Sequence, residues 1–339
     1  MPPVVLGLDI GGANLKAATA DKRAASVPFP LWKQPDRLPA ALADLVAKFP
    51  DADEFAVTMT GELCDCYETK RQGVNAILTA VQNVSRSYPI RVWSTDGKFL
   101  NVEEARKDYL KVAAANWHAL ATYAGGAVPQ GTALLIDIGS TTTDLVPILD
   151  GEPWTEGKTD PGRMRAGELV YTGVWRTPVY ALLPPGEVAA ELFATTADVY
   201  LMLGRLPDNP ANCDTADGRP ATRQHAHARL SRMLGGDPEL VSEAEVLKLA
   251  ERVAERQLDL LRDRVGAQVR RVLGLQPSSL GARRVAIAAG SAEFLAWDAL
   301  LPHRRYFWDF HSLTDRLGPA VSACAPAYAL AVLATERRP

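Results

Sequence analysis

The chain has 339 residues, 47% of them hydrophobic and 23% charged, with a net charge of −3. That length exceeds what one core ordinarily serves and sets an expectation of two domains, while the near-neutral balance excludes a general attraction to nucleic acid or an anionic membrane. No basic segment precedes the short apolar opening "MPPVVLGLDIGG", no stretch approaches the roughly 20 apolar residues of a membrane span, and the cysteines are too few for a disulfide framework; a soluble protein of a reducing cytoplasm is expected.

The opening reads as three strands, "VVLGLDI", "NLKAATA" and "AASVPFPL", joined by the short connections "GGA" and "DKR". "RLPAALADLVAKF" has helical spacing, "EFAVTMT" alternates as a strand, "KRQGVNAILTAVQNVSRSY" (70–88) is helical and "IRVWST" is a strand. "YLKVAAANWHALATYAGG" reads as one helix ending at Gly125 and Gly126. The pattern then restarts, with "TALLIDIG" as a strand and "TTDLVPIL" as its hairpin partner. "LGLDIGGANLKAA" and "LLIDIGSTTTDLV" are the same text twice, their Asp-Ile-Gly triplets beginning at Asp9 and Asp137, about one domain length apart.

A less regular stretch follows from about 155 to 240, containing "RAGELVYTGVWRTPV" and a loop, "LPDNPANCDTADGRPA". Next come the longest helical pattern, "VSEAEVLKLAERVAERQLDLLRDRVGAQVRRVLGL", the strand "RRVAIAAG" and a helix start, "SAEFLAWDAL". "VSACAPAYALAVLATE" closes the chain as an apolar helix that Pro326 should interrupt early. No linker-like tract separates the halves, so a shared interface and cleft are expected.

The repeated loop can be an ordinary hairpin turn or a place for an anion. Glycines and small hydroxyl residues at a hairpin tip let several N–H groups converge on one phosphate without a lysine. Gly11, Gly12 and Gly139 would permit the backbone conformation and the close approach, and Ser140, Thr141 and Thr142 would add hydroxyl donors. A strand-end aspartate beside phosphate is repulsive alone; it makes sense with Mg2+ or a proton-bearing substrate between them. One such loop is most simply a turn. Two copies, each opening a domain-sized half, favour the anion. Lys16 and Asp144 stand seven residues after the paired aspartates and so occupy corresponding positions. Lys16 could equally be a solvated strand residue, and Asp144 could close its own loop.

The paired loops at 9–14 and 137–144, with a third glycine-containing segment "VAIAAGSAEFLA", resemble the phosphate and adenosine loops of the sugar kinase, heat-shock protein and actin (ASKHA) superfamily. "TMTGELCDCYETKRQGV", "GELVYTGVWRTPV", "ATTADVYLMLGRLPD" and "APAYALAVLA" are similar to its hydantoinase/oxoprolinase-like branch, and within that to short proteins linked to tetrahydromethanopterin C1 metabolism, a group that includes the ether synthase of methanofuran and methylofuran assembly.

The resemblance implies an α/β fold of two ribonuclease-H-like domains facing a central cleft. Their expected extents are 1–130 plus 320–339, and 131–319 with an inserted segment 155–240. It implies a transferase that joins a furan-methyl diphosphate to the phenol oxygen of a tyramine or tyrosine unit, releasing diphosphate. Asp9 and Asp137 would be catalytic, as Mg2+ ligands or base. Gly11, Gly12, Asn14, Lys16, Gly139, Ser140, Thr141 and Thr142 would hold diphosphate. Glu62, Asp65, Lys70, Arg71, Glu168 and Arg176 would bind substrate, with Tyr171 and Trp175 given to core packing. Mg2+ is expected and ATP is not, because Ala289 replaces the first of two adjacent glycines where adenine would lie. The expected partners are small-molecule substrates, with a homo-oligomer left open. An ATP-dependent kinase or a hydantoinase-type amide hydrolase is the alternative, and a nucleotide-sensing protein without catalysis is disfavoured by the two intact loops. Cys64, Cys66, Cys213, His225 and His227 lack the spacing of a structural zinc site.

Overall fold

The computed structural model describes residues 3–85, 88–279 and 281–337. Met1 and Pro2, Arg86 and Ser87 of the expected helix 70–88, and the last two residues of the segment 320–339 lie outside the described residues.

Two six-stranded sheets carry the chain. The first holds β1 (Val4–Ile10), β2 (Asn14–Thr19), β3 (Ala24–Pro28), β4 (Ala52–Met59), β5 (Ile90–Trp93) and β6 (Phe99–Leu100) in the order β3-β2-β1-β4-β5-β6. The antiparallel meander β1–β3 gives way to parallel β4 and β5. The second holds β7 (Thr132–Ile138), β8 (Thr143–Leu149), β9 (Glu152–Pro153), β10 (Leu169–Val170), β11 (Arg284–Ala289) and β12 (Asp309–Ser312). There the hairpin β7–β8 is extended on one side by parallel β11 and β12 and on the other by β10, with β9 pairing β8. Both halves therefore repeat one plan, a meander followed by parallel strands, which is the ribonuclease-H-like arrangement. β1 and β7 are central and covered on both faces, which is why each reads as a nearly continuous apolar run rather than an alternation.

Helices cover the sheets in three layers. Leu42, Ile77 and Leu78 of helices Leu38–Val46 and Lys70–Ser85 pack on the outer face of the first sheet. Leu261, Val265 and Val269 of the helix Glu243–Gly274 pack on the outer face of the second. Between the sheets lie helices Asn116–Gly125 and Ala325–Glu336, whose Leu120, Ala121, Ala327 and Ala329 meet Ala18 of one half and Leu135, Val146 and Ile287 of the other. The final helix also seals Val5, Ala56 and Trp93 with Leu330 and Leu333, so the end of the chain stabilises its beginning. Within 155–240, Val179, Leu201, Met202 and Leu230 build a smaller core against Val246 and Leu249 of the long helix.

Two local expectations change. Pro326 does not interrupt the last helix; it lies in its first turn, where the missing N–H costs nothing. The stretch from Tyr109 is not one helix. It breaks at Ala114, which has φ 48° and so carries roughly 1–2 kcal/mol of left-handed strain, and restarts at Asn116. Among the described residues no helix is long and apolar enough to cross a membrane.

Candidate active site

Strand register places the repeated residues. Asp9 of β1 pairs with Lys16 of β2, and Asp137 of β7 pairs with Asp144 of β8. Gly11 N–H donates to Asn14 O at 3.0 Å, and Gly139 N–H donates to Thr142 O at 2.9 Å, closing the two tips alike. The strand-end carbonyls are also held alike: Ile10 O accepts from Thr60 and Gly61 N–H at 3.0 Å, and Ile138 O accepts from Ala292 N–H at 3.2 Å.

Both loops have their carbonyls engaged by the protein. Leu31 and Phe29 N–H bind Gly12 O and Ala13 O at 2.9 Å. Val174 N–H binds Gly139 O at 3.0 Å, while Trp175 and Arg176 N–H bind Ser140 O at 3.0 and 2.9 Å. Among the described residues the N–H groups of Gly12, Ala13, Ser140 and Thr141 find no acceptor, and all four residues line one cleft. Donors without acceptors, facing each other from two halves, suit an anion. The glycines act differently from the expectation. Gly11, Gly12 and Gly139 are not in the left-handed region; a side chain at Gly12 would instead meet Cys64 Sγ at 2.6 Å.

The cleft has a volume of about 340 Å3. Its charged lining consists of Asp9, Glu62, Asp144 and Asp160 against Lys16, Arg163 and Arg176. Arg163, itself 1% exposed, donates to Asp144 Oδ1 at 2.6 Å and to Glu168 O at 2.9 Å, with its guanidinium 3.9 Å from the Trp117 ring centre. Burial raises the Asp144 carboxyl and Arg163 pulls it back down. Lys70 Nζ lies 2.7 Å from Asp160 and 3.5 Å from Glu62, tying the two halves together. Arg176 pairs with Asp214 at 2.7 Å and lies 5.1 Å from the ring of Trp32, a second tie.

The remaining acids are poorly satisfied. Asp9 is 5% exposed and its Oδ1 has no hydrogen-bond partner; burial raises its carboxyl, against the pull of Lys16. Glu62 is 1% exposed with Oε2 unpartnered, and burial pushes it up to about 7, against Lys70. Asp137 is also raised to about 7, by burial first and then by repulsion from Asp144, Asp9 and Glu293, against Lys16.

The cleft thus gathers Asp9, Gly11, Gly12, Asn14, Lys16, Glu62, Ser140, Thr141, Thr142 and Arg176 from the expected set. Asp137, Gly139 and Lys70 support the lining without belonging to it. Three substrate-binding expectations are corrected. Asp65 is exposed outside the cleft. Arg71 lies 4.1 Å over the Tyr109 ring on another face. Glu168 is fully buried, accepting from Glu156 and Gly157 N–H at 2.7 and 3.1 Å and pairing with Arg271 at 2.7 Å, so it braces the backbone. Lys16 is a cleft residue rather than a solvated one, and Asp144 bonds Arg163 rather than its own loop. Tyr171, expected in the core, is 52% exposed and lines the cleft; Trp175 is partly buried and donates to Asp214 O at 2.8 Å.

Ala289 loses its expected role as well. Its methyl is wholly buried in the core between the sheets, so it does not crowd an adenine site. Gly290 is the constrained position, with φ 88° and Ile138 O only 2.3 Å from where a Cβ would stand. Asn116, Trp117, Asp160 and Arg163 are cleft residues that the sequence reading did not single out. His225 and His227 meet Thr222 Oγ1 at 2.8 Å and Val241 O at 3.1 Å.

A Mg2+ ion fits this chemistry. Among the described residues no three His, Cys, Asp or Glu converge, so Asp9 would be the cleft's main protein ligand to such an ion. The orphaned Oδ1 of Asp9 and the mutual repulsion between Asp9 and Asp137 are what a cation would relieve.

The hydantoinase/oxoprolinase family model matches residues 53–337. From end to end the chain is similar to the "(4-{4-[2-(gamma-L-glutamylamino)ethyl]phenoxymethyl}furan-2-yl)methanamine synthase" of Methanocaldococcus jannaschii, at 35% identity over 98% of each chain. The protein of that name from Methanococcus vannielii is 32% identical over 59% of this chain and 89% of its own. Among solved structures, nucleotide-free acetone carboxylase shares the fold, with a TM-score of 0.55 at 15% identity, covering 97% of this chain and 70% of that one.

Proposed function

The chain belongs to the hydantoinase/oxoprolinase family, and from that premise we propose that it is an ether-forming transferase of methanofuran-type carrier biosynthesis. It joins an (aminomethyl)furan-methyl diphosphate to the phenol oxygen of a tyramine or tyrosine unit, free or γ-glutamylated, and releases diphosphate. The observation that carries the reading is the similarity over 98% of each chain to a synthase whose named product holds a phenoxymethyl-furan linkage. The alternative kinase and amide-hydrolase chemistries have no comparable support.

The bond formed is phenol oxygen to furan methylene; the bond broken is methylene to diphosphate oxygen, its electron pair leaving with diphosphate. Charge therefore grows on the leaving group, and preorganised donors lower the barrier most where that charge appears. The free N–H groups of Gly12, Ala13, Ser140 and Thr141, with the hydroxyls of Ser140, Thr141 and Thr142, would receive diphosphate from both sides of the cleft. Lys16 and Arg176 add positive charge without a covalent role. Asp9, with Asp137 behind it, would hold a Mg2+ ion, which would supply further charge stabilisation to the leaving diphosphate. The furan ring delocalises positive charge at the methylene, so little push is needed from the nucleophile. A phenol still has an unperturbed pKa near 10 and gains from a base.

The test is incubation of the purified protein with the furan-methyl diphosphate and candidate phenols in nucleotide-free buffer, with mass detection of ether and diphosphate. Stoichiometric formation of both is expected, and Thr141→Ala with Thr142→Ala should slow it on the order of 10²-fold. Product that forms only with ATP, with ADP accumulating, would refute the reading in favour of an ATP-dependent enzyme.

A further inference from the structure

We propose that Glu62 is the general base that takes the phenol proton; this rests on the ether-forming reaction above and goes beyond it. The cleft holds several carboxylates, and their partners separate them. Asp144 is committed to Arg163 at 2.6 Å. Asp160 is committed to Lys70 at 2.7 Å. Asp9 sits on the hairpin that faces the diphosphate, opposite Lys16, where its free oxygen suits a cation better than a neutral phenol. Asp137 is not part of the cleft lining.

Of the two cleft acids with an uncommitted oxygen, Asp9 and Glu62, Glu62 is the one that stands off the phosphate-loop hairpins. It follows β4 rather than either phosphate loop. Its Oε2 is buried and has no hydrogen-bond partner, so a phenol O–H entering the cleft would meet an acceptor that nothing else uses. The other oxygen, Oε1, is 3.5 Å from Lys70 Nζ, whose shorter contact of 2.7 Å goes to Asp160. Lys70 therefore orients Glu62 while Asp160 takes most of its charge. The half-exposed Tyr171 ring lines the same cleft and offers an apolar face to an aromatic acceptor.

The groups that face Glu62 are Lys70 from the helix Lys70–Ser85, Asp160 from the helix Asp160–Arg165, Tyr171, and Cys64 on its own loop. Burial raises the Tyr171 hydroxyl and pushes the Cys64 thiol up to about 11, so both stay neutral near pH 7. Burial also brings Glu62 up to about 7, which narrows the gap to a phenol while leaving the carboxylate available above neutrality. In the step, the phenol proton moves to Glu62 Oε2 as the oxygen bonds to the methylene and diphosphate departs; nothing is oxidised or reduced.

Three acceptors with phenol pKa lowered stepwise by ring fluorination are compared in wild type, Glu62→Gln and Glu62→Asp, with melting temperatures recorded for each. Wild-type kcat/KM should fall below about pH 7 as Glu62 takes up a proton. Glu62→Gln should lose that limb and about 10²–10⁴-fold in kcat with the plain phenol, a deficit that shrinks as the acceptor becomes more acidic. Glu62→Asp, which keeps a carboxylate, should retain the limb at a lower rate, and it carries the test if the glutamine variant does not fold. A folded Glu62→Gln with a wild-type rate, or a deficit identical for all three phenols, overturns the base assignment. So does a Glu62→Asp without the limb. No ether from wild type overturns the reaction itself, and the assignment with it.

Discussion

Gly173→Ala tests whether the segment behind the second loop sets its geometry. A Cβ at Gly173 would stand 2.6 Å from Gly139 O and from the carbonyl atoms of Ser140. Non-bonded heavy atoms settle near 3.5 Å, so the loop or its support must retreat by about 1 Å. The support is the stiffer side. Gly173 O accepts from Gln257 Nε2 and Thr196 Oγ1, each at 2.9 Å, and Gly173 N–H donates to Thr177 Oγ1 at 3.0 Å. Tyr200 in turn holds Gln257 Oε1 at 2.7 Å. The displacement therefore falls on Ser140 to Thr142. A misplacement of about 1 Å in a group that positions the reacting atoms costs on the order of 10²-fold in rate, whereas the overpacking itself costs about 1–3 kcal/mol of stability. Initial rates of ether formation, inhibition by added diphosphate and melting temperature separate the two. A folded variant with slow turnover and weakened diphosphate inhibition is expected. Wild-type kcat with unchanged inhibition would refute the reasoning.

Arg163→Met should lower the unfolding free energy by about 3–5 kcal/mol, because it leaves Asp144 charged and buried without its cation; denaturant titration checks this, and adding Asp144→Leu should recover most of the loss. Asp137→Asn should flatten the pH dependence of stability. The folded protein holds the Asp137 proton up to about 7 against roughly 3.9 in the unfolded chain, so its favourable contribution is complete below the lower value and is lost as pH rises through the higher one. Melting temperatures between pH 5 and 8 should fall less steeply in the variant than in wild type, and equal slopes would rule out a raised Asp137.

What could be read from the sequence followed from local geometry. β1 and β7 are buried on both faces, so their text is apolar until the tip, and the repeat stands out. A hairpin fixes its own register, so the seven-residue spacing was enough to set Lys16 opposite Asp9 and Asp144 opposite Asp137. Glu168 misled because its partner, Arg271, is 103 residues away and the acid looks exposed in "GELVY". Ala289 misled through neglect of strand alternation: Ile287 faces the core, so Ala289 must as well. The break at Ala114 had no local signal, since "KVAAANWH" is good helical text. Yet the break is what brings Asn116 and Trp117 to the cleft wall, and Trp117 is what the Arg163 guanidinium stacks on.

The distribution of partners in the cleft explains why these acids are there. Asp144 and Asp160 each have a dedicated cation, arriving from 19 and 90 residues away. Structural carboxylates need that, because a buried charge left alone is strongly destabilising. Asp9 and Glu62 break the rule, one at the end of β1 and one on the loop after the neighbouring β4, each with one buried oxygen and no donor. An unsatisfied buried oxygen costs about 1–3 kcal/mol, and a fold that supplies Arg163 and Lys70 to neighbouring acids could have supplied two more donors. In the reaction proposed, the substrates would supply those donors. A cation held beside diphosphate would complete Asp9, and a phenol hydroxyl would complete Glu62. The leaving group would then be met on the hairpin at Asp9 and the nucleophile on the loop after β4 at Glu62, so separate acids of one sheet would serve the two ends of the exchange.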